Sequence, residues 1–200
     1  MAKWKTGITG GIGSGKTFCA RIFEQLGIPV YYSDDRAKHL MTHDPEVVTA
    51  LVELLGPRVY DANHQLQKDF LRKQVFENPP VREKINAIVH PAVGRDYADW
   101  HHAQDSPYTL QEAALLVESG SYRKLDHLIM VRAPRVLRTQ RIMARDGITV
   151  DAVTQRMNSQ FPDSKKEKVA DLFIDNSGCY AILPQILAIH HQLIQSNDRK

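Results

Sequence analysis

Gly10-Gly11-Ile12-Gly13-Ser14-Gly15-Lys16-Thr17 decides the fold of this 200-residue chain. It fits G-x-x-x-x-G-K-[ST], a loop whose backbone N–H groups cradle a polyphosphate. Glycines let those groups turn inward with no Cβ in the way. Lys16 can reach the β- and γ-phosphates, and the Thr17 hydroxyl can hold Mg²⁺. The flanks agree. Trp4 to Thr9 predicts a short buried strand, and Cys19, Ile22, Phe23 and Leu26 fall on one face of a helix that follows. Gly27 suits the left-handed position past that helix, and Pro29 stops it. The order strand, loop, helix points the positive helix end at the anion.

The rest of the composition narrows the class. Apolar residues make up 42% and charged residues 24%, as in ordinary soluble domains, so one globular unit with insertions is expected. A formal net charge of +3 makes no case for nucleic acid and suits a phosphorylated substrate equally. Cys19 lies on an apolar helix face and Cys179 far away, so a disulfide framework is not expected. With no apolar leader and no stretch long enough for a bilayer, a cytoplasmic protein is expected. The pairs His101-His102 and His190-His191 diverge on a helix and no C-x-x-C exists, so no structural metal site is expected.

Along the chain, Val30-Tyr31-Tyr32 predicts a second strand, and a helix follows over Arg36 to Met41. Asp34 falls just past that strand's C-terminal end, the edge where open α/β sheets bind ligands. It either caps the helix or orients and deprotonates an acceptor hydroxyl. Asp44-Pro45 opens a helix with apolar Val47, Val48, Leu51, Leu54 and Leu55. Helices are predicted over Lys68 to Phe76, Pro80 to Val89 and Pro91 to His102. This run without strands reads as an inserted subdomain for a second substrate.

Tyr108 to Gln111 predicts a strand ending at Glu112, a carboxylate that either reaches Mg²⁺ or is solvated. Glu118 is expected in a structural or substrate-side role. Leu128 to Val131 reads as a buried parallel strand. The next helix carries Arg135, Arg138, Arg141 and Arg145 along one stripe, which suits cations over a transferring phosphoryl group. With a second helix near Val150 to Ser159 it reads as a hinged lid. Lys165, Lys166 and Lys168 are expected on a solvated helix start. Leu172 to Ile174 predicts the last strand, and Asn176 beyond it is placed near the nucleotide base. A final amphipathic helix carries Pro184 near its first turns, and Ser196 to Lys200 is expected to fray.

Taken together, these residues resemble the dephospho-coenzyme A kinase family from about Gly7 to Leu187. The resemblance lies in Thr9 to Lys16, in Leu26-Gly27-Ile28-Pro29-Val30 with Asp34, and in Leu71-Arg72 with Val75-Phe76. It continues in Ile88-Val89-His90-Pro91, Leu115-Leu116-Val117-Glu118, Gln140-Arg141 with Arg145, and Ala170-Asp171 with Ile174-Asp175-Asn176. Tyr32-Ser33-Asp34 stands where the family often has Asp-Ala-Asp, and Glu112 where it often has Asp. Asp34 then carries the acid-base role alone.

The resemblance implies an α/β, three-layer P-loop NTPase fold with a mainly parallel five-stranded sheet, a helical substrate subdomain and a helical lid. The corresponding boundaries are 1–58, 107–134 and 166–200 for the nucleotide-binding core, 59–106 for the substrate subdomain and 135–165 for the lid. It implies transfer of the ATP γ-phosphoryl group to the ribose 3′-hydroxyl of dephospho-coenzyme A. ATP and Mg²⁺ are the implied cofactors, and the small-molecule acceptor is the partner, with no nucleic acid or membrane. Lys16, Asp34 and Arg141 are the implied catalytic residues. Gly11, Ile12, Gly13, Ser14, Gly15, Lys16, Thr17, Arg138, Arg145 and Asn176 bind the nucleotide, and Thr17 and Glu112 the metal. Thr9, Asp34, His90, Leu116 and Glu118 face the acceptor.

Another small-molecule or nucleoside monophosphate kinase on this fold is the alternative. A GTPase switch wants N-K-x-D, which the sequence lacks. A nucleic-acid-dependent NTPase wants an aromatic and basic stacking patch, which it also lacks.

Overall fold

A computed structural model describes residues 3–197. The tail expected to fray lies outside them from residue 198 on. Five strands form one parallel sheet in the order β2-β3-β1-β4-β5: β1 Trp4–Thr9, β2 Val30–Tyr32, β3 Tyr108–Glu112, β4 His127–Arg132 and β5 Leu172–Asp175. All five coincide with the predicted runs to within a residue or two.

Alternation along the strands sorts the sheet's two faces. Ile8, Ile129, Val131 and Ile174 pack with Cys19, Ala20 and Phe23 of α1 (Lys16–Gln25) and with Ile186, Ile189 and Leu193 of α9 (Ile182–Asn197). Leu128 turns the other way, against Ala113, Leu116 and Val117. Gly7 lets that segment close on β1, because a Cβ there would sit 2.5 Å from the Leu125 side chain. Pro184 falls in the first turn of α9, where its missing N–H costs no intrahelical bond. No described helix is long and apolar enough to cross a membrane.

The chain divides into two compact units, residues 1–32 with 104–200, and Ser33–Ala103. The second unit holds α2 (Ser33–His43), α3 (Pro45–Leu55), α4 (Lys68–Glu77) and α5 (Pro79–Ala103). Its boundaries differ from the expected 59–106, because α2 and α3 do not join the nucleotide core. Leu40, Val47 and Leu51 share one cluster with Ile85, Val89 and Ala92 of α5. Arg36 ties α2 to the same helix through Asp96 at 2.9 Å. Asp44 caps α3 as expected, its carboxylate accepting from Glu46 and Val47 N–H.

α5 also corrects the prediction of two helices broken at Pro91. The helix runs through that proline. Ile85, Val89 and Ala92 carry one buried stripe across it, and this packing outweighs the lost hydrogen bond.

Candidate active site

β1 delivers the loop and α1 begins at Lys16, so the loop amides gather at the helix N-terminus. Gly15 sits at φ 93 with the Asn176 side chain pressed against it, a place closed to any Cβ. A cavity of about 180 Å³ opens on Gly13–Thr17 and is walled by Arg141, Ile142 and Arg145.

Glu112, at the end of β3, is the residue on which the loop's chemistry converges. Its Oε1 lies 3.2 Å from Lys16 Nζ and accepts the Thr17 hydroxyl at 3.0 Å. The residue is 3% exposed, so it is no solvated loop glutamate. Register explains the meeting, because Glu112 pairs with Ile8 beside the start of the loop. The Thr17 and Glu112 oxygens are hard donors of the kind Mg²⁺ prefers.

The arginine stripe separates into distinct roles on α6 (Arg135–Asp146). Arg141 Nη2 donates to the Asn176 carbonyl at 3.1 Å and to its Oδ1 at 3.2 Å, while Asn176 Nδ2 donates to the Ser14 carbonyl at 2.7 Å. Asn176 therefore braces loop and arginine together. Arg145 borders the cavity but is forked onto Asp146 at 2.6 and 3.1 Å, and Arg156 shares that carboxylate at 2.6 Å. The Arg145 hydrogen bond, with Arg156 behind it, holds Asp146 below the ordinary carboxylate range. Arg138, expected beside the nucleotide, is 7% exposed under the loop, bonded to the Ile12 carbonyl and to Asp163. Arg135 is exposed and reaches Asn158 instead.

Of the residues expected to face the acceptor, Asp34 is exposed in the first turn of α2 and His90 is exposed on α5. Thr9 is fully buried, its hydroxyl 3.4 Å from the Ala114 carbonyl. Leu116, 2% exposed, packs into the core, so its side chain offers no surface to a ligand.

Glu118 belongs to a buried ion pair that the sequence does not announce. Lys166, expected on a solvated helix start, is fully buried in the short helix α8 (Asp163–Glu167). Its Nζ lies 2.9 Å from Glu118 Oε1 and 3.2 Å from the Ala114 carbonyl. Lys166→Met should lower stability by about 3–5 kcal/mol, because it strands a buried carboxylate. At roughly 2–4 °C per kcal/mol for a chain of this size, calorimetry will resolve the shift. Lys166→Met with Glu118→Gln should recover most of it, and a single variant as stable as the parent would show that the pair carries no such weight.

Cys19 is buried on α1, and burial pushes its thiol up to about 12, so it stays a packing group. The expectation of no histidine pair at H-x-x-x-H spacing is corrected by the helix α2. His39 and His43 stand four apart on α2 and stack at 4.2 Å. Among the described residues, no group of three or more His, Cys, Asp and Glu gathers as a metal centre.

Comparison with known proteins agrees with this geometry. The family model for dephospho-CoA kinase matches residues 4–181. A dephospho-CoA kinase of Porphyromonas gingivalis is 41% identical over 184 residues, covering 92% of this chain and 91% of its own. A crystal structure of a Thermus thermophilus protein is similar at a TM-score of 0.85 and 30% identity, covering 96% of this chain and 99% of its own. Dephospho-CoA kinase from Campylobacter jejuni shares the fold, with a TM-score of 0.72 at 23% identity and coverage of 98% and 100%.

Proposed function

The chain belongs to the dephospho-CoA kinase family, and from that premise we infer that it transfers the γ-phosphoryl group of ATP to the ribose 3′-hydroxyl of dephospho-CoA. ADP and coenzyme A are the products, in the last step of coenzyme A synthesis. The observation that carries the phosphoryl-donor half is the meeting of Glu112 with Lys16 and Thr17, which both line the loop cavity. The family match carries the acceptor.

In this reading the loop amides and Lys16 hold the triphosphate. Lys16 and Arg141, both bordering the cavity, place positive charge on the transferring group, with Arg145 assisting. Thr17 and Glu112 are the residues that would hold Mg²⁺, directly or through water, and when bound it offsets charge on the β- and γ-phosphates. Asp34 takes the proton of the acceptor hydroxyl as that oxygen attacks phosphorus and the bond to ADP breaks. The helical unit Ser33–Ala103 supplies acceptor contacts, His90 among them. Segment 135–165 acts as a lid that keeps water from competing with the acceptor. A cytoplasmic setting fits the free thiols.

An acceptor panel tests the reading. At saturating ATP, dephospho-CoA should outpace AMP, CMP and shikimate by about 10³-fold or more, because a site built to bond one acceptor leaves its polar groups unpaired with another. A nucleoside monophosphate phosphorylated as fast as dephospho-CoA would favour the monophosphate-kinase alternative instead.

A further inference from the structure

Ile12 is the non-glycine residue inside the first turn of the loop, and each of its groups is held from one direction. Its N–H donates to Gln160 Oε1 at 2.8 Å. Its carbonyl accepts from Arg138 Nε at 2.9 Å. Its side chain packs against the cluster formed by Ile142 of α6 with Val153 and Met157 of α7 (Val150–Asn158). Arg138 is fixed in turn by Asp163, 2.7 Å from Nη1. Gly11 has to be glycine for this, since a Cβ there would overlap the Arg138 guanidinium.

The segment that supplies Gln160 and Asp163 is itself anchored. Phe161 N–H donates to Glu118 Oε1 at 2.9 Å, and Lys166 is buried on the same carboxylate. None of Gln160, Asp163 and the Ile12 side chain has a part in the phosphoryl transfer described above. They shape the loop and do not serve the phosphates.

We propose that Gln160 is a positioning residue for the phosphate loop: with Arg138 and Asp163 it clamps Ile12 at both its N–H and its carbonyl, so the loop is set before ATP arrives. The inference rests on reading Gly10–Thr17 as the ATP site. The physical case is one of preorganisation. Gly10, Gly11, Gly13 and Gly15 leave the loop backbone with unusual freedom, which binding would otherwise have to remove. Holding one central residue by both of its backbone groups removes part of that freedom in advance and raises affinity without touching the ligand. A glutamine suits the task, because its carbonyl accepts the N–H without adding negative charge beside a triphosphate. The clamp also fastens the walls of the expected lid to the loop.

Gln160→Met fills the same space and removes the acceptor. It should raise the Kd and KM for ATP about tenfold, the scale of one lost hydrogen bond that orders a site. The KM for dephospho-CoA and kcat should stay within about twofold, and the melting midpoint should fall by no more than about 6 °C, the scale of that one hydrogen bond. Amide exchange followed by NMR reads the clamp directly. In the parent without nucleotide the Ile12 N–H should be protected, and Gln160→Met should lose that protection about tenfold. Gln160→Glu keeps an acceptor and should restore it.

A general structural role would lower stability and leave this split between ATP and acceptor unmoved. Unchanged ATP affinity in Gln160→Met, or equal Ile12 exchange in variant and parent, overturns the proposal. Should Gln160→Met fail to fold, the parent still decides, because an Ile12 amide exchanging at its free-peptide rate excludes the clamp. A parent that binds no ATP yet protects Ile12 would sink the functional reading and leave the clamp standing.

Discussion

Lys16→Met lowers turnover at saturating ATP by about 10²–10³-fold, the usual cost of removing one group that stabilises developing charge. The structure adds a second consequence. Lys16 Nζ is 3.2 Å from Glu112 Oε1, and the two side chains are 15% and 4% exposed. Losing the ammonium leaves a buried carboxylate with the Thr17 hydroxyl beside it and no compensating charge, which destabilises the fold. The variant should therefore melt earlier as well as turn over slowly. Lys16→Met with Glu112→Gln separates the two effects, since it should regain thermal stability and no activity. If Lys16→Met alone keeps its turnover within about twofold, the loop is not where phosphoryl transfer happens.

Asp34→Asn should lower kcat by about 10²–10⁴-fold, the contribution of a positioned general base, and leave the KM for ATP within about twofold. The choice of asparagine matters. Asp34 sits in the first turn of α2, where an acidic side chain also favours the helix N-terminus. Asparagine keeps the size and shape of aspartate and gives up only its first-turn charge, worth about 0.3–1 kcal/mol, so the exchange removes the base at little cost to the helix. A variant that melts like the parent but has lost turnover assigns Asp34 to the acceptor hydroxyl. One with full turnover returns it to a helix-end role.

The elements best read from sequence are those whose causes are local. In β1, the loop and α1, motif, apolar periodicity and the stops at Gly27 and Pro29 agree within one stretch of chain. β4 is a run of apolar residues buried on both faces, which is what the interior of a parallel sheet demands. Misreadings arise where the partner is distant. Leu40, Val47 and Leu51 announce an apolar face, but only Ile85, Val89 and Ala92, more than thirty residues further along the chain, decide which unit it joins. Pro91 looks like a stop because the stripe that carries α5 across it becomes visible only once its partners are placed.

At the site the same division holds. The spacing of Arg135, Arg138, Arg141 and Arg145 gave their common stripe correctly, while Asp163, Asp146 and Asn176 distribute them among separate tasks. Lys166 sits among lysines that look solvated, and its burial is set by Glu118 from another segment. Gln160 carries no local signal at all, since nothing in its neighbours names the Ile12 amide as its partner.

The most direct measurement follows ADP and acceptor mass together, with ATP and Mg²⁺ present and dephospho-CoA supplied or withheld. ADP release that requires dephospho-CoA, with one coenzyme A formed per ADP, is the predicted result. ADP released at the same rate without the acceptor, or an acceptor of unchanged mass, would contradict it.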